Sequence, residues 1–181
     1  MEFYKYNKSF CQRKFYILKY DGVVRDKIVD YKFNDLGYLF KTFQKIILND
    51  KKVCDFIKSY DIIIPVPIHK NRKKERGYNQ SSLIIKGAVR KINLKYHTNI
   101  IVNDKVLIKK IDTPKQSLLK KAEREKNIKN VYFLNKKAEI LNKRILIFDD
   151  VYTTGNTVKE CTKTLLRANP MCIDVLTLTK D

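Results

Sequence analysis

Asp149 and Asp150 stand side by side and are followed, two residues on, by Thr153-Thr154-Gly155-Asn156-Thr157. Paired carboxylates beside a hydroxyl-rich turn with one glycine suit a ligand that carries both a diol and a phosphate. The carboxylates are acceptors for ribose hydroxyls, or hold Mg²⁺ through its waters. The turn supplies threonine hydroxyls, and Gly155 permits positive φ or a close backbone approach. A phosphate also needs N–H donors, which the first turn of a helix leaves without intrahelical acceptors while its dipole adds partial positive charge. The flanking residues provide that setting. Ile145-Leu146-Ile147-Phe148 is a short unbroken apolar run, the pattern of a parallel strand covered on both faces. Val158, Cys161, Thr162, Leu165 and Leu166 recur at helical spacing, with an end near Asn169-Pro170. The turn thus lies at the carboxyl end of a strand and the amino end of a helix. Taken singly, these aspartates and threonines are ordinary capping residues; their combination in this order carries the reading. A Walker loop and a GxGxxG dinucleotide fingerprint are both absent.

A second strand is expected over Asp61 to Ile64, with Pro65 and Pro67 ending its ladder because proline lacks an N–H. A basic loop follows through His69, Lys70, Arg72, Lys73, Lys74 and Arg76, closed by Gly77. The helix after it buries Ser81, Ile84, Ile85, Ala88, Val89 and Ile92 on one face. Earlier, a strand near Phe15 to Lys19 leads to a turn at Asp21-Gly22. Val24, Ile28 and Tyr31 then begin a helical pattern, and a second helix continues through Leu36, Leu39, Phe40, Phe43 and Ile47. Val106 to Ile108, Val131 to Leu134 and Ile173 to Leu178 read as further strands. Strands alternating with helices argue for a doubly wound, mostly parallel sheet that binds ligands at its carboxyl edge.

A chain of 181 residues with 44% apolar content is enough for one α/β domain. The 39 basic and 19 acidic residues give a formal charge of +20, a surface that favours polyanions, whether nucleic acid or phosphorylated metabolites. The basic residues are spread along the chain, and compositional bias is the competing account. Cys11, Cys54, Cys161 and Cys172 form no CxxC pair, and His69 and His97 have no partner at ligand spacing, so zinc is not expected. Tyr78 and Tyr152 flank the two ligand segments, as base-stacking aromatics or as packing. No signal peptide or apolar run of spanning length is visible, and a cytoplasmic location is expected.

The segment ILIFDDVYTTGNTV resembles the phosphoribosyl pyrophosphate (PRPP) signature of type I phosphoribosyltransferases. Ile62 to Gln80, IIIPVPIHKNRKKERGYNQ, resembles the ComF family, whose members carry Pro-Val-Pro, spaced arginines and Arg-Gly-aromatic-Asn-Gln. Thr113-Pro114-Lys115-Gln116-Ser117 with Leu119, Arg124 and Asn127 is similar to that family's Thr/Gln…Arg…Asn pattern. The resemblance implies a type I phosphoribosyltransferase-like α/β fold, a mostly parallel twisted sheet flanked by helices with a small hood. Residues 1–20 would be a lead-in and 21–181 the domain, with the hood at roughly 110–130.

It also implies PRPP and Mg²⁺ as ligands. Asp149 and Asp150 would hold the ribose and offset growing positive charge as catalytic residues. Thr153, Thr154, Gly155, Asn156 and Thr157 would bind the 5′-phosphate. Arg72, Lys74 and Arg76 would bind pyrophosphate, and Arg124 would reach in from the hood. No direct protein ligand of the metal is expected beyond Asp149 and Asp150. Many family members resemble zinc ribbons at their amino end, where this chain has the lone Cys11. The implied function is DNA uptake in natural competence, with single-stranded DNA and competence-machinery proteins as partners. The alternative is an active transferase joining ribose 5-phosphate from PRPP to a nitrogenous base with release of pyrophosphate.

Overall fold

The computed structural model describes residues 13–33, 36–113, 130–135 and 138–181. The strands are β1 (Lys14–Lys19), β2 (Ile62–Pro65), β3 (Ile101–Val102), β4 (Leu107–Lys109), β5 (Tyr132–Leu134), β6 (Arg144–Tyr152) and β7 (Cys172–Lys180). The α-helices are α1 (Gly22–Phe33), α2 (Phe40–Asn49), α3 (Lys51–Lys58), α4 (Lys70–Arg76), α5 (Gln80–Tyr96) and α6 (Asn156–Leu166). Five strands form one sheet in the order β1-β7-β6-β2-β3, and every neighbouring pair in it is parallel. β4 and β5 make a separate antiparallel pair. It frames the segment assigned to the hood, most of which, with Arg124, lies outside the described residues.

Alternation along β6 explains why both sheet faces are covered. Leu146 and Phe148 pack with Ile28, Tyr31, Phe43, Ile47, Ile57 and the apolar face of α5. Ile145 and Ile147 pack on the other side with Val158, Cys161, Leu165, Val131 and Tyr132. A period of two places consecutive residues on opposite faces, so a central strand with helices on both sides is apolar throughout. β6 runs four residues beyond the expected Ile145–Phe148 run because β7 pairs with it as far as Tyr152↔Lys180. Asp149 and Asp150 are therefore strand residues.

One other feature differs from expectation. The basic loop after β2 is a helix: Lys70–Arg76 contains good helix formers and no glycine. His69 Nδ1 accepts from the Asn71 N–H at its start, and Gly77 closes it in the left-handed region at φ 78°. The strand expected near Phe15 to Lys19 is β1, a parallel partner of β7 in the main sheet.

β1 is fastened through a buried acid. Asp174 on β7 is fully buried and accepts from the Tyr60 hydroxyl at 2.6 Å, from Arg13 Nε at 3.1 Å and from the Arg13 backbone N–H. Asp174→Ala strands the Tyr60 hydroxyl and loosens the β1 edge. It is expected to lower stability by about 2 kcal/mol in urea unfolding, and a loss below about 0.5 kcal/mol would show that the network does not hold the edge.

Candidate functional site

A cleft of about 390 Å³ opens at the carboxyl edge of the sheet. One wall is the end of β6 and the turn into α6; the other comes from α1, α4 and the β4–β5 pair. Asp149, Asp150, Thr153, Thr154, Gly155, Asn156 and Thr157 all line it, as do Arg72 and Arg76. Segments more than 70 residues apart in sequence thus meet where the resemblance places one ligand.

The turn is held in a form that leaves helix donors open. Gly155 has φ 75° and is the residue before α6, and no side chain caps the helix there. That φ is costly for any residue with a side chain. A Cβ on Gly155 would also lie 2.2 Å from the Tyr152 hydroxyl, which has to move aside. Tyr152 lines the cleft, and Lys14 donates to its hydroxyl at 3.3 Å. Tyr78 is packing: its ring stacks on Tyr31 with centroids 5.7 Å apart, and it does not line the cleft.

The two aspartates differ in surroundings because they leave β6 on opposite faces. The Asp149 carboxylate accepts from the Ser81 hydroxyl at 3.1 Å and from the Asp150 N–H at 3.0 Å. Asp149 is half-buried where it lines the cleft. That burial pushes its pKa up to about 7, and the Asp150 charge adds to the rise while Lys32 opposes it. Asp150 is itself buried and forms an ion pair with Lys32 Nζ at 2.8 Å. Lys32 ends α1 and lines the same cleft. A ribose diol or a metal-bound water must share or displace that lysine to reach Asp150. Two carboxylates reaching one cleft, one of them short of compensating positive charge, form a donor set that suits Mg²⁺ held through water.

Across the cleft, helix geometry selects among the basic residues. Arg72 and Arg76 are one turn apart on α4 and both line the cleft, whereas Lys74, two residues from each, is exposed and does not. Lys74 therefore does not join the arginines with which it was grouped. Arg76 donates to Gln80 Oε1 at 3.2 Å and lies over the Phe33 ring at 4.9 Å. Burial lowers its pKa.

The Arg-Gly-Tyr-Asn-Gln run has a physical reading residue by residue. Arg76 faces the cleft and Gly77 ends α4. Asn79 caps α5 and donates to the Val66 carbonyl at 2.9 Å. Gln80 is buried at the cleft wall, and its Nε2 has no hydrogen-bond partner. His69 is buried at the cleft and lies 3.0 Å from Asp112, unlike an exposed spectator, while His97 caps the far end of α5. Lys32 and Lys109 are cleft residues that no sequence motif singled out. Among the described residues, no group of three His, Cys, Asp or Glu side chains is placed to hold a metal ion.

Competence protein F of Haemophilus influenzae is 31% identical over 139 residues, which are 75% of this chain and 58% of that protein. The chain belongs to the ComF family. DNA utilization protein YhgH of Escherichia coli (strain K12) is 30% identical over 64% of the chain and 47% of its own length. Competence protein ComFC of Bacillus subtilis is 27% identical over 83% and 56%. The chain therefore spans about half the length of these ComF relatives. No family model matches. Among solved structures, a hypoxanthine phosphoribosyltransferase from Staphylococcus aureus gives a TM-score of 0.48 at 14% identity, over 78% of this chain and 65% of that one. A purine phosphoribosyltransferase from Pyrococcus horikoshii gives 0.41 at 15%, over 92% and 77%. The five-stranded sheet is parallel and covered on both faces by helices, the architecture that the sequence implied.

The raised pKa of Asp149 has a consequence for stability. The folded protein binds this proton more tightly than an unfolded chain does, so ionisation opposes folding. The cost is absent below the ordinary carboxylate range, grows as pH rises towards about 7, and is complete above it. Asp149→Asn is expected to raise the urea midpoint at pH 8 and to leave it nearly unchanged at pH 4; equal effects at both would show that Asp149 carries no such burden.

Proposed function

We propose that this protein binds PRPP with Mg²⁺ in the cleft and acts in DNA uptake during natural competence, with its basic surface handling single-stranded DNA. The observation that carries the ligand assignment is the placement of Asp149, Asp150 and the 153–157 turn across one cleft from Arg72 and Arg76. Acceptors for a diol, a helix start for a monophosphate and a paired cationic wall together match the three parts of PRPP. In this reading the first turn of α6 and the hydroxyls of Thr153, Thr154 and Thr157 hold the 5′-phosphate. Asp149 and Asp150 orient the ribose. Arg72 and Arg76 receive the pyrophosphate end, where guanidinium forks match phosphate oxygens. Mg²⁺ arriving with the pyrophosphate would offset its charge and sit against Asp149 and Asp150 through water.

The role in DNA uptake is supported by relatives named for competence and for DNA utilization. The formal charge of +20 supplies the electrostatic part of binding to a strand of phosphates. Among the described residues, no helix is long and apolar enough to cross a membrane.

Transfer chemistry is a second reading, favoured by carboxylates and arginines lining one cleft. If the anomeric C–O bond breaks, its electrons leave with pyrophosphate towards the arginines while Asp149 and Asp150 face the growing positive charge on the ribose. Pyrophosphate release in the presence of an acceptor base distinguishes this reading from binding alone.

Calorimetry with PRPP and Mg²⁺ is expected to show saturable binding that weakens at least tenfold in Asp149→Ala/Asp150→Ala. A wild type that does not bind removes the PRPP assignment. Affinity for a single-stranded oligonucleotide is expected to fall by at least about tenfold between about 50 and 200 mM salt, and an affinity that stays level across the series removes the DNA assignment.

A further inference from the structure

Lys109, at the end of β4, reaches the cleft from outside every segment considered above as an anion site. Its ammonium donates to the Thr113 hydroxyl at 2.7 Å. Arg72 donates to the Thr113 carbonyl at 2.6 Å. Two cations on different elements thus converge on one buried, uncharged residue. The Lys109 pKa is pushed down to about 8, by burial first and by Arg72 next.

The groups facing this lysine offset the pair only in part: Asp112 acts on both cations and Asp149 on Lys109. Asp112 is engaged by Asn71 Nδ2 at 2.8 Å and by His69 at 3.0 Å. Asp149 and the Cys161 thiol act on Lys109 only at a distance, and the Tyr132 ring centroid lies 5.9 Å from the ammonium. A half-buried ammonium and a guanidinium held on the neutral oxygens of one residue are an arrangement that a multivalent anion relieves.

We propose that Lys109 and Arg72 form a second cationic clamp for the diphosphate end of the ligand, and that Thr113 occupies both cations until the diphosphate replaces it. This rests on the reading of the cleft as a PRPP site. Thr113 lies near the start of the segment assigned to the hood, and its carbonyl is the oxygen that Arg72 of α4 would give up. The clamp adds a lysine from β4 to the arginines of α4, and gives Thr113 the part of a stand-in acceptor.

Calorimetry with inorganic pyrophosphate plus Mg²⁺, with PRPP plus Mg²⁺ and with ribose 5-phosphate separates the parts. Lys109→Met is expected to weaken pyrophosphate and PRPP at least tenfold and to leave ribose 5-phosphate within twofold, with Lys109→Arg restoring most of the loss. At pH 8 the wild type is expected to take up more protons on binding pyrophosphate than Lys109→Met does, measured in buffers of different ionisation enthalpy. Simple loss of packing would not produce that difference. Thr113→Val, which leaves the carbonyl in place, is expected to bind pyrophosphate more tightly than the wild type. If the wild type binds PRPP and Lys109→Met binds pyrophosphate equally well, the clamp is refuted while the cleft assignment stands. If the wild type binds neither PRPP nor ribose 5-phosphate, the cleft assignment falls and takes the clamp with it.

Discussion

The site depends on β6 being buried on both faces and hydrogen-bonded on both edges. A strand in that position has no solvent-facing side, and in β6 the apolar run Ile145–Phe148 gives way to polar residues at the carboxyl end. Asp149 and Asp150 lie at that end, where the strand still pairs with β7 and borders the cleft. The same constraint directs the chain straight from strand to helix through Gly155, which puts the start of α6 next to the carboxylates. The acidic and anion-binding halves of the cleft therefore come from one structural event.

Electrostatic balance across the cleft is incomplete by construction. Asp150 is matched by Lys32, but Asp149 has only hydrogen bonds and a raised proton affinity. On the opposite wall, burial lowers the pKa values of both Arg76 and Lys109. Carboxylates and cations thus line one cleft, with the proton affinity of Asp149 raised and that of Lys109 lowered.

Much of this was legible in short-range patterns. Continuous apolar runs marked β2 and β6, and helical spacing marked α5 and α6, because burial of one stripe or two faces leaves a direct imprint on residue type. The aspartate pair and the threonine-glycine turn were legible for the same local reason. What escaped was set by three-dimensional placement. Charge suggested a loop after β2, yet lysine, arginine and glutamate are good helix formers, and only the helix shows why Arg72 and Arg76 face inward while Lys74 does not. Lys32 and Lys109 were hidden among 39 basic residues, since nothing in their neighbours distinguishes a buried ammonium from a solvated one. His69 was hidden because its burial comes from elements distant in sequence.

The placement of β7 bears on how the molecule is made. This strand lies between β6 and β1, and its Asp174 meets Arg13, a residue 161 positions earlier. During synthesis the β1 segment has no strand to pair with until β7 has left the ribosome. Sealing of that sheet edge is thus expected to be among the last steps of assembly.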